Sequence, residues 1–175
     1  MKWISHIAIA GAVCAVVNPA AVPAAVLGST APDWFEWLLR AAHRRVNHRG
    51  LTHYLAYWVA GMLAAHFIID WRDVFFWFCA GGAIHWFCDA LTSSGAPLGP
   101  WSQKRVHLFG GRVRTGGASE YMVTLCVVLI CGVIIYTQRA THGANYIPFF
   151  PDWAGHYQAG RADAKEWREN RFKFF

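Results

Sequence analysis

The chain has 175 residues, is 55% hydrophobic and only 15% charged, and carries 10 Trp and 12 Phe. No long polar stretch offers a place for a separate soluble domain, and the apolar content excludes a disordered chain, so the composition reads as a small integral membrane protein. A net charge of +6 suits anionic headgroups or phosphorylated substrates, but the basic residues are not spaced as in a nucleic-acid module and no nucleic-acid partner is expected.

Ile7 to Leu27 is apolar and long enough to span a bilayer, but Pro19 and Pro23 fall in its middle, where proline removes a backbone donor and breaks or kinks a helix. It reads either as a kinked span or as two half-helices that enter and leave on one side. Asp33 and Glu36 follow, then a basic loop from Arg40 to Arg49. The segment His48-Arg49-Gly50-Leu51-Thr52-His53 opens the almost continuously apolar run Tyr54 to Ile69. A tight turn at Asp70 to Asp73 leads to a second run, Val74 to Leu91, and Tyr121 to Tyr136 is a third. At a rise of about 1.5 Å per residue, each nearly or fully crosses a hydrocarbon core of about 30 Å. The expected fold is an all-α integral membrane bundle of three to four transmembrane segments.

Between the second and third runs, Lys104 to Thr115 alternates around Gly110-Gly111 and predicts a small extramembrane β-hairpin. Its Arg105, His107, Arg112 and Arg114 would either overhang the site or face headgroups. Ser119 and Glu120 are placed to cap the last helix. Residues 1–140 read as the membrane-embedded domain and 141–175 as an aromatic, basic tail, with Trp153, Tyr157 and Trp167 among Arg161, Lys165 and Arg168. Such a tail suits an interfacial helix that anchors on lipid or docks a protein partner. The cysteines at 14, 79, 88, 126 and 131 all lie in apolar segments without C-x-x-C spacing, and read as buried small hydrophobes. The loops on both sides are basic, so charge does not fix the orientation.

Histidines and acids at the ends of apolar segments are metal-ligand types for which lipid-facing sequence has no ordinary use. His85 and Asp89 are four apart and share a helix face, as do His66 and Asp70. The turn between the two helices makes them antiparallel, which puts the two pairs on the order of 18 Å apart along the axis. His53 opens the first helix and Asp89 closes the second, so Asp33, His48, His53, His85 and Asp89 converge on one end of the bundle. Imidazole and carboxylate donors suit zinc, with manganese or iron as alternatives, and such a centre activates water for hydrolysis. Asp89 or Glu36 could serve as general base, and Arg49 could hold a substrate oxyanion or phosphate.

Pro32-Asp33, His48-Arg49-Gly50-Leu51-Thr52-His53 and His85-x-x-x-Asp89-Ala90-Leu91-Thr92-Ser93-Ser94-Gly95 together resemble the inner-membrane-associated metal-dependent hydrolases, also described as LexA-binding membrane proteins. The resemblance runs from about His6 to Glu120. It implies that His6 and Glu120 join the ligand set, and that the N-terminal segment turns back as a re-entrant hairpin so that His6 reaches Asp33. One position departs from the pattern: the family's second aspartate, two residues after the first, is here Phe35, with Glu36 next to it. The expected function is hydrolysis of an ester or phosphoester, with a lipid or small molecule as substrate. A non-catalytic membrane subunit that keeps the motifs is the alternative, and a haem protein using His66 and His85 is a third.

Overall fold

A computed structural model describes residues 1–43, 49–69, 73–102, 104–142, 165, 168 and 169. These residues form five α-helices and one two-stranded sheet. Helix α1 (Trp3–Val17) ends at Asn18, whose N–H reaches the Cys14 carbonyl at 2.7 Å. Pro19 cannot donate to continue the ladder, and the chain makes one 3₁₀ turn over Pro19–Ala21 before α2 (Val22–Ala41) begins. Pro23 sits in the first turn of α2, where its missing N–H costs nothing. The N-terminal apolar stretch is therefore two helices. The second is much longer than a half-helix and carries Asp33 and Glu36 within it, so Asp33 lies on a helix and not beside a loop.

Helix α3 (Leu55–Ala64) continues into a π-helical turn (Ala65–Ile69), and α4 (Val74–Ala90) runs back beside it. Glycines set how close these helices come. A Cβ on Gly28 would lie 1.8 Å from the Phe78 carbonyl oxygen, and one on Gly81 would lie 2.1 Å from that of Ala25, so α2 and α4 pass with their backbones in contact. Gly82 likewise receives the indole of Trp58 from α3. Around this crossing, Ala31, Trp58, Cys79 and Ala83 form a core flanked by Trp34, Phe35 and Phe78.

Helix α5 (Ala118–His142) contains, over Ala118–Gln138, one helix long and apolar enough to cross a membrane, and only 11% of its most apolar window is buried. A core helix of a soluble protein would be covered; this one exposes Met122, Leu125, Leu129, Ile130 and Val133 all along its length. The other apolar helices, Trp3–Val17, Leu55–Ile69 and Val74–Ala90, are shorter than a full span. Among the described residues, then, one helix has crossing length where three to four were expected.

The sheet also differs from expectation. Strand β1 (Ala96–Pro97) pairs antiparallel with β2 (Arg105–Val106), Ala96 opposite Val106 and Pro97 opposite Arg105. The Gly110-Gly111 pair does not join two strands. It closes a 3₁₀ turn (Leu108–Gly110), and its positive φ values of 73° and 62° send the chain back so that Val113 bridges Thr92 in parallel. The amphipathic tail expected after residue 140 lies almost wholly outside the described residues.

Candidate metal centre

Five side chains meet at the end of the bundle where α1 begins and α4 ends. His6 comes from the second turn of α1, Asp33 from α2, His53 from a 3₁₀ turn (Leu51–His53) before α3, and His85 and Asp89 from the last turns of α4. They make two overlapping groups, His6 with His85 and Asp89, and Asp33 with His53 and His85; within each, one donor atom per residue lies within 4.8 Å of the others. The His6 and His85 rings stack at 3.8 Å between centroids, and His53 meets His85 edge-on at 5.1 Å.

The donor chemistry fits a metal ion. His85 Nδ1 is 2.7 Å from the carbonyl oxygen of Ser29, which can only accept, so the ring proton sits on Nδ1 and the Nε2 lone pair faces Asp89 Oδ2 at 3.5 Å and Asp33 Oδ1 at 4.0 Å. A backbone carbonyl on the far ring nitrogen is the usual way a ligand imidazole is oriented. Among the described residues, neither ring nitrogen of the fully buried His6 has a hydrogen-bond partner, nor does His85 Nε2. Buried polar atoms are costly when left unsatisfied, and a cation would satisfy them. His53 lies 3.4 Å from Asp33 Oδ1 through Nε2, with Thr52 Oγ1 2.9 Å from its Nδ1. Burial holds its imidazole below the ordinary value of 6.5 against the opposing pull of the Asp33 hydrogen bond, which favours the neutral, metal-binding form.

Asp89 is the electrostatic centre. It receives the amine of Met1 at 2.6 Å and a two-pronged contact from Arg49, Nε at 3.0 Å to Oδ2 and Nη2 at 3.1 Å to Oδ1. Arg49 was expected on a substrate oxyanion; its guanidinium is instead turned inward. Nη1 reaches the Gly95 carbonyl at 3.1 Å and Thr92 Oγ1 at 3.4 Å, while Thr92 donates to the Asp89 carbonyl at 2.7 Å. The threonine and glycine that follow Asp89 in the motif thus hold the arginine that holds Asp89. Gly95 is at φ 62°, and a Cβ there would meet the His107 ring at 2.7 Å, so both the backbone conformation and the space call for glycine.

Two expected site residues, Glu36 and Glu120, lie outside both groups. Glu36 is buried and bonded to Arg40, accepts the Arg49 N–H at 3.4 Å, and stands 4.0 Å from His53 Nδ1, so it flanks His53 and belongs to neither donor group. Glu120, fully buried, accepts Lys2 N–H at 2.7 Å, Ser5 hydroxyl at 2.6 Å and Gly116 N–H at 2.7 Å. Those bonds tie the start of α1 to the start of α5 and leave Glu120 outside both groups. His48 lies outside the described residues, as does Asp70. His66 pairs with Asp73 at 3.2 Å, at the opposite end of the α3–α4 hairpin from His85, so the two do not face each other as haem ligands would. The Ser29 carbonyl and the Met1 amine carry no side-chain signature by which sequence reading could have found them.

The model of the YdjM inner membrane protein family matches residues 1–146, and the chain belongs to that family. Neither curated proteins nor solved structures gave a match.

Proposed function

We propose that this inner-membrane chain is a multi-pass, metal-dependent hydrolase of an ester or phosphoester, acting at headgroup depth. The observation that carries the reading is the meeting of three imidazoles and two carboxylates at one buried end, with His85 held in the ligand tautomer by Ser29. His6, His85 and Asp89 would hold the ion, with Asp33 and His53 beside them on the other side of His85. Zinc suits this set, and manganese or iron would fit the same donors. When bound, the ion supplies Lewis acidity and lowers the pKa of water at its open position.

A single ion is the stoichiometry these donors support. His85 belongs to both groups but has only Nε2 to give, and one lone pair serves one cation. Asp33, whose side chain is 21% exposed, is the most open of the carboxylates around the site and the best placed to take a proton from incoming water. Arg49 fixes Asp89 and offsets its charge, so it positions a ligand and does not contact substrate.

A non-catalytic, partner-binding protein is the second reading, favoured by the pairing of Asp89 with Arg49 and the Met1 amine. Elemental analysis of detergent-purified protein beside the His53→Ala, Asp89→Ala variant separates the two. About one metal per chain, lost in the variant, is the expected outcome and would justify a screen of ester and phosphoester substrates. Absence of metal from the wild type grown with zinc, manganese and iron would overturn the hydrolase reading.

A further inference from the structure

Between Asp89 and Glu120 the chain contains no acidic residue but carries Lys104, Arg105, Arg112 and Arg114, all exposed. The same segment turns two large aromatic side chains outward: Trp101 is 72% exposed and Phe109 85%. Phe109 is also held at φ 49°, a left-handed conformation that is costly for a bulky residue, at the tip formed with Gly110 and Gly111. Exposure of this kind gains nothing in water, since each ring leaves an apolar surface hydrated. The segment ends at Gly117, directly before the helix of membrane-crossing length, so Arg112 and Arg114 stand beside the point where α5 would enter lipid. Lys2 joins them there, its Nζ 5.9 Å from the centre of the Tyr121 ring.

We propose that residues 96–102 and 104–114 form a cap that reads the surface of the membrane itself, Trp101 and Phe109 inserting at the headgroup boundary and Lys104, Arg105, Arg112 and Arg114 taking the phosphates of anionic phospholipid. The amphipathic indole of Trp101 favours that depth, the phenyl ring of Phe109 inserts by its apolar surface, and clustered cations next to a membrane segment favour negative headgroups. The proposal rests on the membrane reading above and not on catalysis; with catalysis, it names an anionic phospholipid as the substrate class.

The test reconstitutes the full chain in nanodiscs of equimolar phosphatidylglycerol and phosphatidylcholine and counts the lipids retained on the released protein by native mass spectrometry. The wild type is expected to retain phosphatidylglycerol at least about five-fold over phosphatidylcholine, the factor one surface cation contributes. A variant with Lys104, Arg105, Arg112 and Arg114 all changed to Gln is expected to lose the preference, and Trp101→Ser with Phe109→Ser to retain fewer lipids of either kind. Equal retention by the wild type, or an undiminished preference in the four-Gln variant, overturns the proposal. So does a preference that inorganic phosphate abolishes, which would mark a site for a free anion. Metal content is expected to be unchanged in both variants, so failure of the metal reading and failure of the cap are separate results.

Discussion

At the scale of the residue, the site is built from donors that point inward and from neighbours that fix how they point. Arg49 is the clearest case. Its side chain and that of Asp89 are 9% and 3% exposed, so the pair is desolvated, and removing one partner leaves the other charge buried. Arg49→Gln is therefore expected to destabilise the metal-free protein by about 3 kcal/mol. A divalent ion would restore positive charge beside Asp89, so the loss should shrink when zinc is present. Thermal unfolding in detergent with and without zinc measures both, and an equal loss in the two conditions would argue against Asp89 as a ligand. Much of the candidate site was legible from spacing alone, because His85 and Asp89 at i and i+4 share a helix face and the hairpin brings His53 to the same end. The direction of Arg49 was not legible, since a loop arginine can face either way until its acceptors are placed. The departure at Phe35 acquires a physical reason: on α2 it lies about 200° around the axis from Asp33, which turns it toward Trp58 and Phe78 in the apolar core. Glu36, three residues on from Asp33, returns to the site side, which is why it reaches His53.

At the scale of the element, the α2–α4 crossing delivers the chemistry. Ser29 lies one residue after Gly28, and its carbonyl meets His85 only because the two backbones touch. Gly81→Ala would put a Cβ 2.1 Å from the Ala25 oxygen, so the helices must separate. Overpacking of this kind costs about 1–3 kcal/mol. The variant is expected to bind metal more weakly although no ligand has changed, which a zinc titration of purified protein would read. Unchanged affinity would mean that the site does not depend on the crossing. The break at Asn18-Pro19 was legible because proline removes a donor whatever surrounds it. The strand pairing was not: alternation about Gly110-Gly111 looks like a hairpin, but the partner of Arg105–Val106 is Ala96–Pro97, a pairing set by tertiary contacts such as the Trp86 indole on the Pro97 carbonyl at 2.6 Å.

At the scale of the whole molecule, Glu120 joins the helix of membrane-crossing length to the helix that carries His6. Its carboxylate accepts from three donors, and an amide in its place would face at least one of them with an N–H. Glu120→Gln is expected to lower stability by about 1–3 kcal/mol while metal stoichiometry stays at the wild-type value, measured by denaturation and elemental analysis together. Loss of metal without loss of stability would instead return Glu120 to the ligand set.

The break after Val17 has a further consequence for the bilayer. Helices of the lengths of Trp3–Val17, Leu55–Ile69 and Val74–Ala90 measure about 22–26 Å, against about 30 Å of hydrocarbon and a fully matched α5. In the proposed multi-pass arrangement these three helices are thus hydrophobically short, α1 lying directly against the longer α5, and the lipid they meet would thin toward their length. The molecule would carry a standing step in hydrophobic thickness where α1 meets α5.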